Sequence, residues 1–259
     1  MTRLAVDAHA HVGVRIAPPE LTALGGLVMA VTRSLDEAET ALTRSDALTV
    51  WGIGCHPAIP EAVNGFNRDR FASLLERAAF VGEVGLDRRS RVPMHRQLKV
   101  LVQVLEEIGQ TPRAVSLHTS GATSAMLDAL ERHPIRFPIL HWWRGSRAET
   151  LRAMELGCLF SLNGHEAISP KALDLVPLDR VLTETDFPHT QRYDHAAAQP
   201  GAVATIERAL AEHHNIDAGA IREQVWATLV PLVDAMPNGA ASERLRAEVD
   251  SARASRTSR

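Results

Sequence analysis

Two short stretches carry residue types that buried strands ordinarily avoid. In LTETDFPH, residues 182–189, an apolar run leads into two carboxylates one residue apart, Glu184 and Asp186. In LAVDAHAHVG, residues 4–13, Asp7, His9 and His11 follow the same alternation. Strand side chains alternate with period two, so His9 and His11 face one side together, as do Glu184 and Asp186. A charged pair on an inward face is unfavourable unless a cation or hydrogen bonds neutralise it. Imidazole nitrogens and carboxylate oxygens are the donors that divalent ions take up.

These residues need elements to position them. Apolar runs ending in polar residues predict strands at Leu4–Val12, Leu27–Thr32, Leu48–Cys55, Phe80–Leu86, Ala114–His118, Phe137–His141, Cys158–Leu162 and Arg180–Thr185. Between them, apolar residues recur every three or four positions, as in Leu35–Leu42, Phe71–Ala78, Arg96–Ile108, Thr123–Leu130 and Ala148–Leu156. Lys171–Val176 offers only a short helix before the last strand. The strand ends then bring together His9, His11, His56, Glu83, His118, His141, Glu184 and Asp186. Six of the twelve histidines (these five and His189) lie at or just past a strand end, more than scatter would put there. Taken singly, a strand-end histidine is as readily a satisfied surface residue. His56 and His189 each sit beside a proline and serve equally well to shape a loop. Four histidines with Glu83 and Asp186 on one rim make a divalent metal site the simplest explanation.

Eight buried strands, each followed by a crossover, argue for parallel pairing and closure into a (β/α)8 TIM barrel with its chemistry where strands end. A doubly wound sheet would bring a Gly-rich loop after the first strand, where this chain has HAHVG. Gly201–His213 and Ala218–Val233 read as two outer helices. Residues 1–236 are expected to form one barrel domain, and residues 237–259 a polar, mobile C-terminal tail.

The totals agree. A chain of 259 residues suits one α/β barrel, and 45% hydrophobic residues suffice for a full core. Net charge is −3, so no global field draws the protein to nucleic acid or membrane, and an anionic substrate must be held by local charge or metal. Cys55 and Cys158 make no disulfide framework and lack zinc-finger spacing. No apolar run reaches the ~18 residues of a membrane span, and no signal peptide is read at the start, so a soluble cytoplasmic protein is the expectation.

The motifs AVDAHAHVG, WGIGCHP, FVGEVGLD, VSLHTS, PILHWWRGS, GCLFSLNG and VLTETDFPH occur in the order and spacing of TatD-type metal-dependent deoxyribonucleases, of the amidohydrolase superfamily. The resemblance covers about residues 4–232, with GEVGLD and TETDFP the most specific. HWWRGS followed by LGCLFSLNG is similar to the TatD-like members of Qat anti-phage defence systems. The resemblance implies a metal-ligand set of His9, His11, Glu83, His118, His141 and Asp186. It implies that Glu83 bridges two divalent ions (Mg²⁺, Mn²⁺ or Zn²⁺), with His9, His11 and Asp186 around one and His118 and His141 at the other. Glu83 and Asp186 are then the catalytic carboxylates, Asp186 orienting the attacking water or taking its proton. The implied activity is phosphodiester cleavage, 3′–5′ exonuclease-like on single-stranded DNA. The implied partners are DNA and proteins of a defence complex, with no membrane, in a monomer or small oligomer.

The chain departs from the family at named places. Ser120 stands where the family usually has Arg, Arg88 where it commonly has Tyr, and HWWRG replaces the more usual HCFTG. Substrate contacts are therefore expected from His56, Arg88, Trp142, Trp143, Arg144, Glu184 and His189, with Arg89 and Arg91 adding local charge. Aromatics at the mouth hold unpaired bases well, although adjacent Trp142 and Trp143 must point to opposite sides, which sends one of them into the core. The same metal clamp polarises a carbonyl as readily as a phosphoryl group, so hydrolysis of an ester, lactone, amide or aminoacyl ester is the alternative. An accessory interaction subunit of a multi-protein complex is a further one, against which six retained ligands argue.

Overall fold

The computed structural model describes residues 3–164, 170–189 and 199–257. Each apolar run forms a strand within two residues of its expected limits: β1 Ala5–His11, β2 Gly26–Val31, β3 Thr49–Cys55, β4 Phe80–Asp87, β5 Ala114–Ser120, β6 Phe137–Leu140, β7 Leu159–Asn163 and β8 Val181–Glu184. All neighbours are parallel and pair in chain order, β1 through β8. The sheet curls until β8 meets β1, where Thr183 Oγ1 donates to Val6 O at 2.5 Å, Asp186 N to His9 O at 2.9 Å and His11 N to Phe187 O at 2.8 Å. The result is a nearly closed (β/α)8 barrel. β2 and β3 are buried throughout, which is why they carry no polar alternation.

The interleaved helices are α1 Pro18–Ala23, α2 Leu35–Ala41, α3 Pro60–Asn64, α4 Arg68–Leu75, α5 Met94–Gln110, α6 Thr123–Arg132, α7 Arg147–Glu155, α8 Pro170–Leu175, α9 Ala204–His214, α10 Ala218–Asp234 and α11 Glu243–Thr257. Their faces follow the sequence period. In α5, Gln97, Val100, Leu101, Val104, Leu105 and Ile108 are buried, one stripe at three- and four-residue spacing. Starts are set by side-chain caps: Ser34 on α2, Asn67 on α4, Asp217 on α10, and a full capping box of Ser146 with Glu149 on α7. The short helices α1 and α3 have no apolar period to betray them; each begins with proline at its first turn.

The chain beyond Pro237 corrects the expectation of a tail. It forms α11, and Leu245, Val249 and Ala252 are buried against the body of the protein. Arg3 fastens this helix, its Nη2 donating to Ser251 O and Ser255 Oγ at 2.8 Å each, while its Nε pairs with Glu223 of α10 at 2.6 Å. A stripe one residue wide, at i, i+4 and i+7, is enough to dock a helix yet leaves the segment polar by composition. Among the described residues no helix is long and apolar enough to cross a membrane.

Candidate metal centre

The C-terminal ends of the strands converge on a cleft of about 310 Å³ lined by His11, His56, Glu83, Asp87, His118, His141, Trp142, Asp186 and His189. Parallel pairing slips register in β1 between Asp7 and Ala10 and in β4 between Val81 and Val84, the stretches that hold His9 and Glu83. Such irregularities re-aim side chains beside active sites. The GEVGLD glycines have a steric reason. Gly85 has φ 151°, and a Cβ there would collide with the His118 backbone carbonyl. Beneath the cleft, Asp7 ties β1 to the chain after β8, accepting from Thr185 N at 2.9 Å, Thr185 Oγ1 at 2.6 Å and Gly201 N at 2.8 Å.

Glu83 is the centre of the cluster. Its Oε2 faces His11 Nε2 at 3.2 Å, His56 Nε2 at 3.3 Å and His9 Nε2 at 3.7 Å. Its Oε1 faces His118 Nδ1 at 2.5 Å and His141 Nε2 at 3.0 Å. Asp186 Oδ1 lies 3.6 Å from His11 Nε2 and 3.7 Å from His9 Nε2. One carboxylate thus divides the imidazoles into two groups, one per oxygen. His9 Nε2, Glu83 Oε2 and Asp186 Oδ1 are buried without hydrogen-bond partners. Buried polar atoms are normally satisfied, so these orphans and their chemistry fit divalent cations. His9, His11 and Asp186 form one candidate ligand group, and His9, Glu83 and His141 another.

For His9 and His118, outer residues fix which ring nitrogen is free. His9 Nδ1 is 2.6 Å from Ser116 Oγ, leaving Nε2 for the cleft. His118 Nε2 is 3.3 Å from Asp87 Oδ2, leaving Nδ1. Such outer partners orient metal-binding imidazoles. His56 differs. Its Nδ1 accepts the backbone N–H of Ala58 at 3.0 Å, so the proton sits on Nε2, the atom that points at Glu83. His56, Glu83 and His118 do converge, but a protonated Nε2 has no lone pair for an ion. His56 is a donor rather than a ligand.

The charges tell the same story. Burial alone would raise the Glu83 carboxyl, but His56, His118 and His141 hold it well below the usual carboxylate range. Burial drives Asp186 well above its range, with Glu83 and Glu184 adding to the effect against the pull of His141. Burial pushes His9 down to about 3 and His56 to about 4. Burial opposes charge on His118 and His141 too, yet Glu83 lifts His118 to about 9 and His141 well above its ordinary value. Asp186, His118 and His141 are thus the groups of this cluster that gain or keep a proton beside Glu83. A divalent ion delivers that positive charge to the same lone pairs.

The cluster joins all six residues of the implied ligand set, with His56 and His189 at its mouth. The His189 ring stands 5.0 Å from that of His11, and its backbone N–H donates to Asp186 O at 2.8 Å. Four expectations are corrected. Trp143 is not at the mouth: it is 4% exposed, packs on Phe160, and donates from Nε1 to Thr150 Oγ1 at 3.0 Å, while Trp142 alone of the pair lines the cleft. Glu184 and Asp186 do not share a strand face, because β8 ends at Glu184 and Asp186 has φ 47°. Glu184 lies buried beside His141 instead of facing substrate. Arg88 and Arg144 are exposed and stand outside the cleft lining. Sequence reasoning missed Asp87, Ser116 and Ser161 as supports. Two of them were signalled, since Ser116 sits two residues before His118 and Asp87 closes GEVGLD.

A parallel barrel that gathers imidazoles and carboxylates at the C-terminal ends of its strands is the architecture of a metal-dependent hydrolase. The comparisons narrow this. The model of the TatD related DNase family matches residues 6–232, and the chain belongs to that family. It is 27% identical over 237 residues to an uncharacterised metal-dependent hydrolase TatD of Mycobacterium tuberculosis, a match covering 80% of this chain and 89% of that one. In fold it resembles YJJV, a TatD homologue from Escherichia coli K12, with TM-score 0.77 and 22% identity over 88% of this chain and 97% of the other. A TatD family hydrolase from Entamoeba histolytica gives 0.73 at 14% identity, over 90% and 98% of the two chains.

Proposed function

We propose that this protein is a metal-dependent phosphodiesterase that degrades single-stranded DNA from an end, in the 3′–5′ sense. The observation that carries this reading is the Glu83 carboxylate, whose two oxygens each face a separate set of imidazoles. Two ions could share that one acid, with His9, His11 and Asp186 to hold one and His118 and His141 to hold the other. Bound there, the ions would supply Lewis acidity at the phosphoryl group and make water a nucleophile near neutral pH.

The chain's own residues do the rest. Asp186, at the edge of the cleft, would take the proton of the attacking water through the carboxylate oxygen not given to an ion. His56 Nε2–H donates to an anionic oxygen of the substrate, its tautomer set by Ala58 N–H. Asp87 and Ser116 keep His118 and His9 turned inward. Trp142 offers its indole at the cleft wall for a terminal unpaired base. A role in anti-phage defence is the narrower proposal, supported by the HWWRGS stretch that contains this residue.

A second reading has a specific observation behind it. Among the described residues lining the cleft none is Lys or Arg, which suits an uncharged ester or lactone as well as a phosphodiester. Turnover of end-labelled single-stranded DNA, run beside a panel of esters and lactones with Mg²⁺, Mn²⁺ or Zn²⁺, separates the two. Shortening of the DNA from its 3′ end supports the proposal; ester turnover with intact DNA reverses the order.

A further inference from the structure

Glu184 is a buried acid at the end of β8 that the proposed chemistry leaves without a task. It is 1% exposed, and both of its oxygens are engaged. Oε2 accepts the Ser161 hydroxyl from the neighbouring strand β7. Oε1 accepts the backbone N–H of Trp142 at 2.8 Å and stands 3.7 Å from His141 Nδ1, an ion-pair separation longer than a hydrogen bond. His141 Nε2 is the atom turned toward Glu83, so an ion bound there leaves the proton on Nδ1, facing Glu184. Trp142 has φ 44°, a left-handed backbone that a bulky side chain adopts only when its surroundings impose it. The imposed turn is what separates the two tryptophans, sending Trp143 inward and Trp142 to the cleft.

We propose that Glu184 is a positioning residue that holds the metal-facing ring of His141 and the cleft-facing Trp142 through one carboxylate. The ligand and the substrate wall are consecutive residues, and one buried acid fixes both. This inference rests on the reading of His141 as a metal ligand for its first half only. The second half, the tie to Trp142, stands on the hydrogen bond to its backbone. Ser161 is the anchor that keeps the carboxylate from swinging toward the cleft.

The test uses the full chain and two readouts. Zn²⁺ affinity is measured by competition with a chromophoric chelator. Trp142 placement is measured by acrylamide quenching, with Trp142→Phe identifying its share, since Trp143 and Trp226 are buried and Trp51 is only 5% exposed. Glu184→Gln keeps an oxygen for Trp142 N–H but loses the charge facing His141. It is expected to bind Zn²⁺ about 10- to 100-fold more weakly, with quenching unchanged. Glu184→Ala is expected to lose the same affinity and to raise Trp142 quenching as well. Ser161→Ala, which removes only the anchor, shifts both readouts in the same direction by less, and it serves where Glu184→Ala fails to fold. Wild-type Zn²⁺ affinity in Glu184→Gln overturns the tie to His141. Unchanged quenching in both Glu184→Ala and Ser161→Ala overturns the tie to Trp142. If the wild-type protein binds no Zn²⁺, the metal reading and the His141 tie fail together, while the quenching arm still decides the other half.

Discussion

Trp142 and Trp143 are neighbours in sequence, yet truncating each should damage a different property. Trp143 is 4% exposed, lies on the Phe160 ring at 5.2 Å, hydrogen-bonds Thr150 and fills the space that a side chain at Gly145 would take. Trp143→Ala therefore opens a large cavity, and buried Trp-to-Ala changes cost about 3–5 kcal/mol. At roughly 2–4 °C per kcal/mol for a chain of this size, the melting temperature should fall by about 6–20 °C. Trp142 is half-buried at the cleft with φ 44°. Its replacement by Gly should not destabilise the backbone there, because the left-handed turn costs a non-glycine residue about 1–2 kcal/mol. Single-strand binding should suffer instead, by about 1–3 kcal/mol, or roughly 5- to 150-fold. Calorimetry of the metal-free variants and titration of a short labelled oligonucleotide give the two numbers. Equal melting losses in both variants, or an unchanged melting temperature in Trp143→Ala, would refute the placement of the pair.

Leu245→Ala should lower stability by about 2–5 kcal/mol, because Leu245 is fully buried on the inner face of α11; a change under about 0.5 kcal/mol in a denaturant melt would return that helix to the status of a loose tail. Asp87→Ala should weaken metal binding about 10- to 100-fold with little change in melting, read by chelator competition, since Asp87 would act by orienting the His118 ring. The pH dependence has a defined sign. His118 is raised to about 9 from 6.5 in the metal-free protein, so its proton stabilises the fold fully below pH 6.5 and that contribution fades as pH rises through 9. An ion competes for the same nitrogen, so the melting gain on adding Zn²⁺ should grow between pH 6.5 and 9, the affinity rising up to about tenfold per unit for each proton displaced. A gain that is flat or shrinks over that range would contradict His118 as a ligand.

The alternation of His9 with His11, and a histidine or acid at the ends of most other strands, made both barrel and site readable from the chain. Apolar runs set the strand limits to within two residues, since each run is buried between helices on one side and the barrel interior on the other, whereas α4 lies three residues before its expected limits and α9 starts three residues after. What alternation could not carry was any position past a strand end. Asp186 and Trp142 both have left-handed backbones, so the faces assigned to Glu184, Asp186 and the tryptophan pair were not decided by period. The tautomer of His56 was equally hidden, because it depends on one backbone N–H two residues on. α11 was missed because three buried apolar side chains are few among its fifteen residues.

If both imidazole groups load, Glu83 would be shared by two ions. Metal content after equilibrium dialysis against Zn²⁺, measured by mass spectrometry on the wild-type chain and on Glu83→Gln, tests it most directly. An amide keeps the shape of the side chain and one neutral oxygen, but it removes the charge that both imidazole groups face. Two ions per chain are expected in the wild type and at most one in the variant. Two ions in both proteins, or none in the wild type, would contradict it.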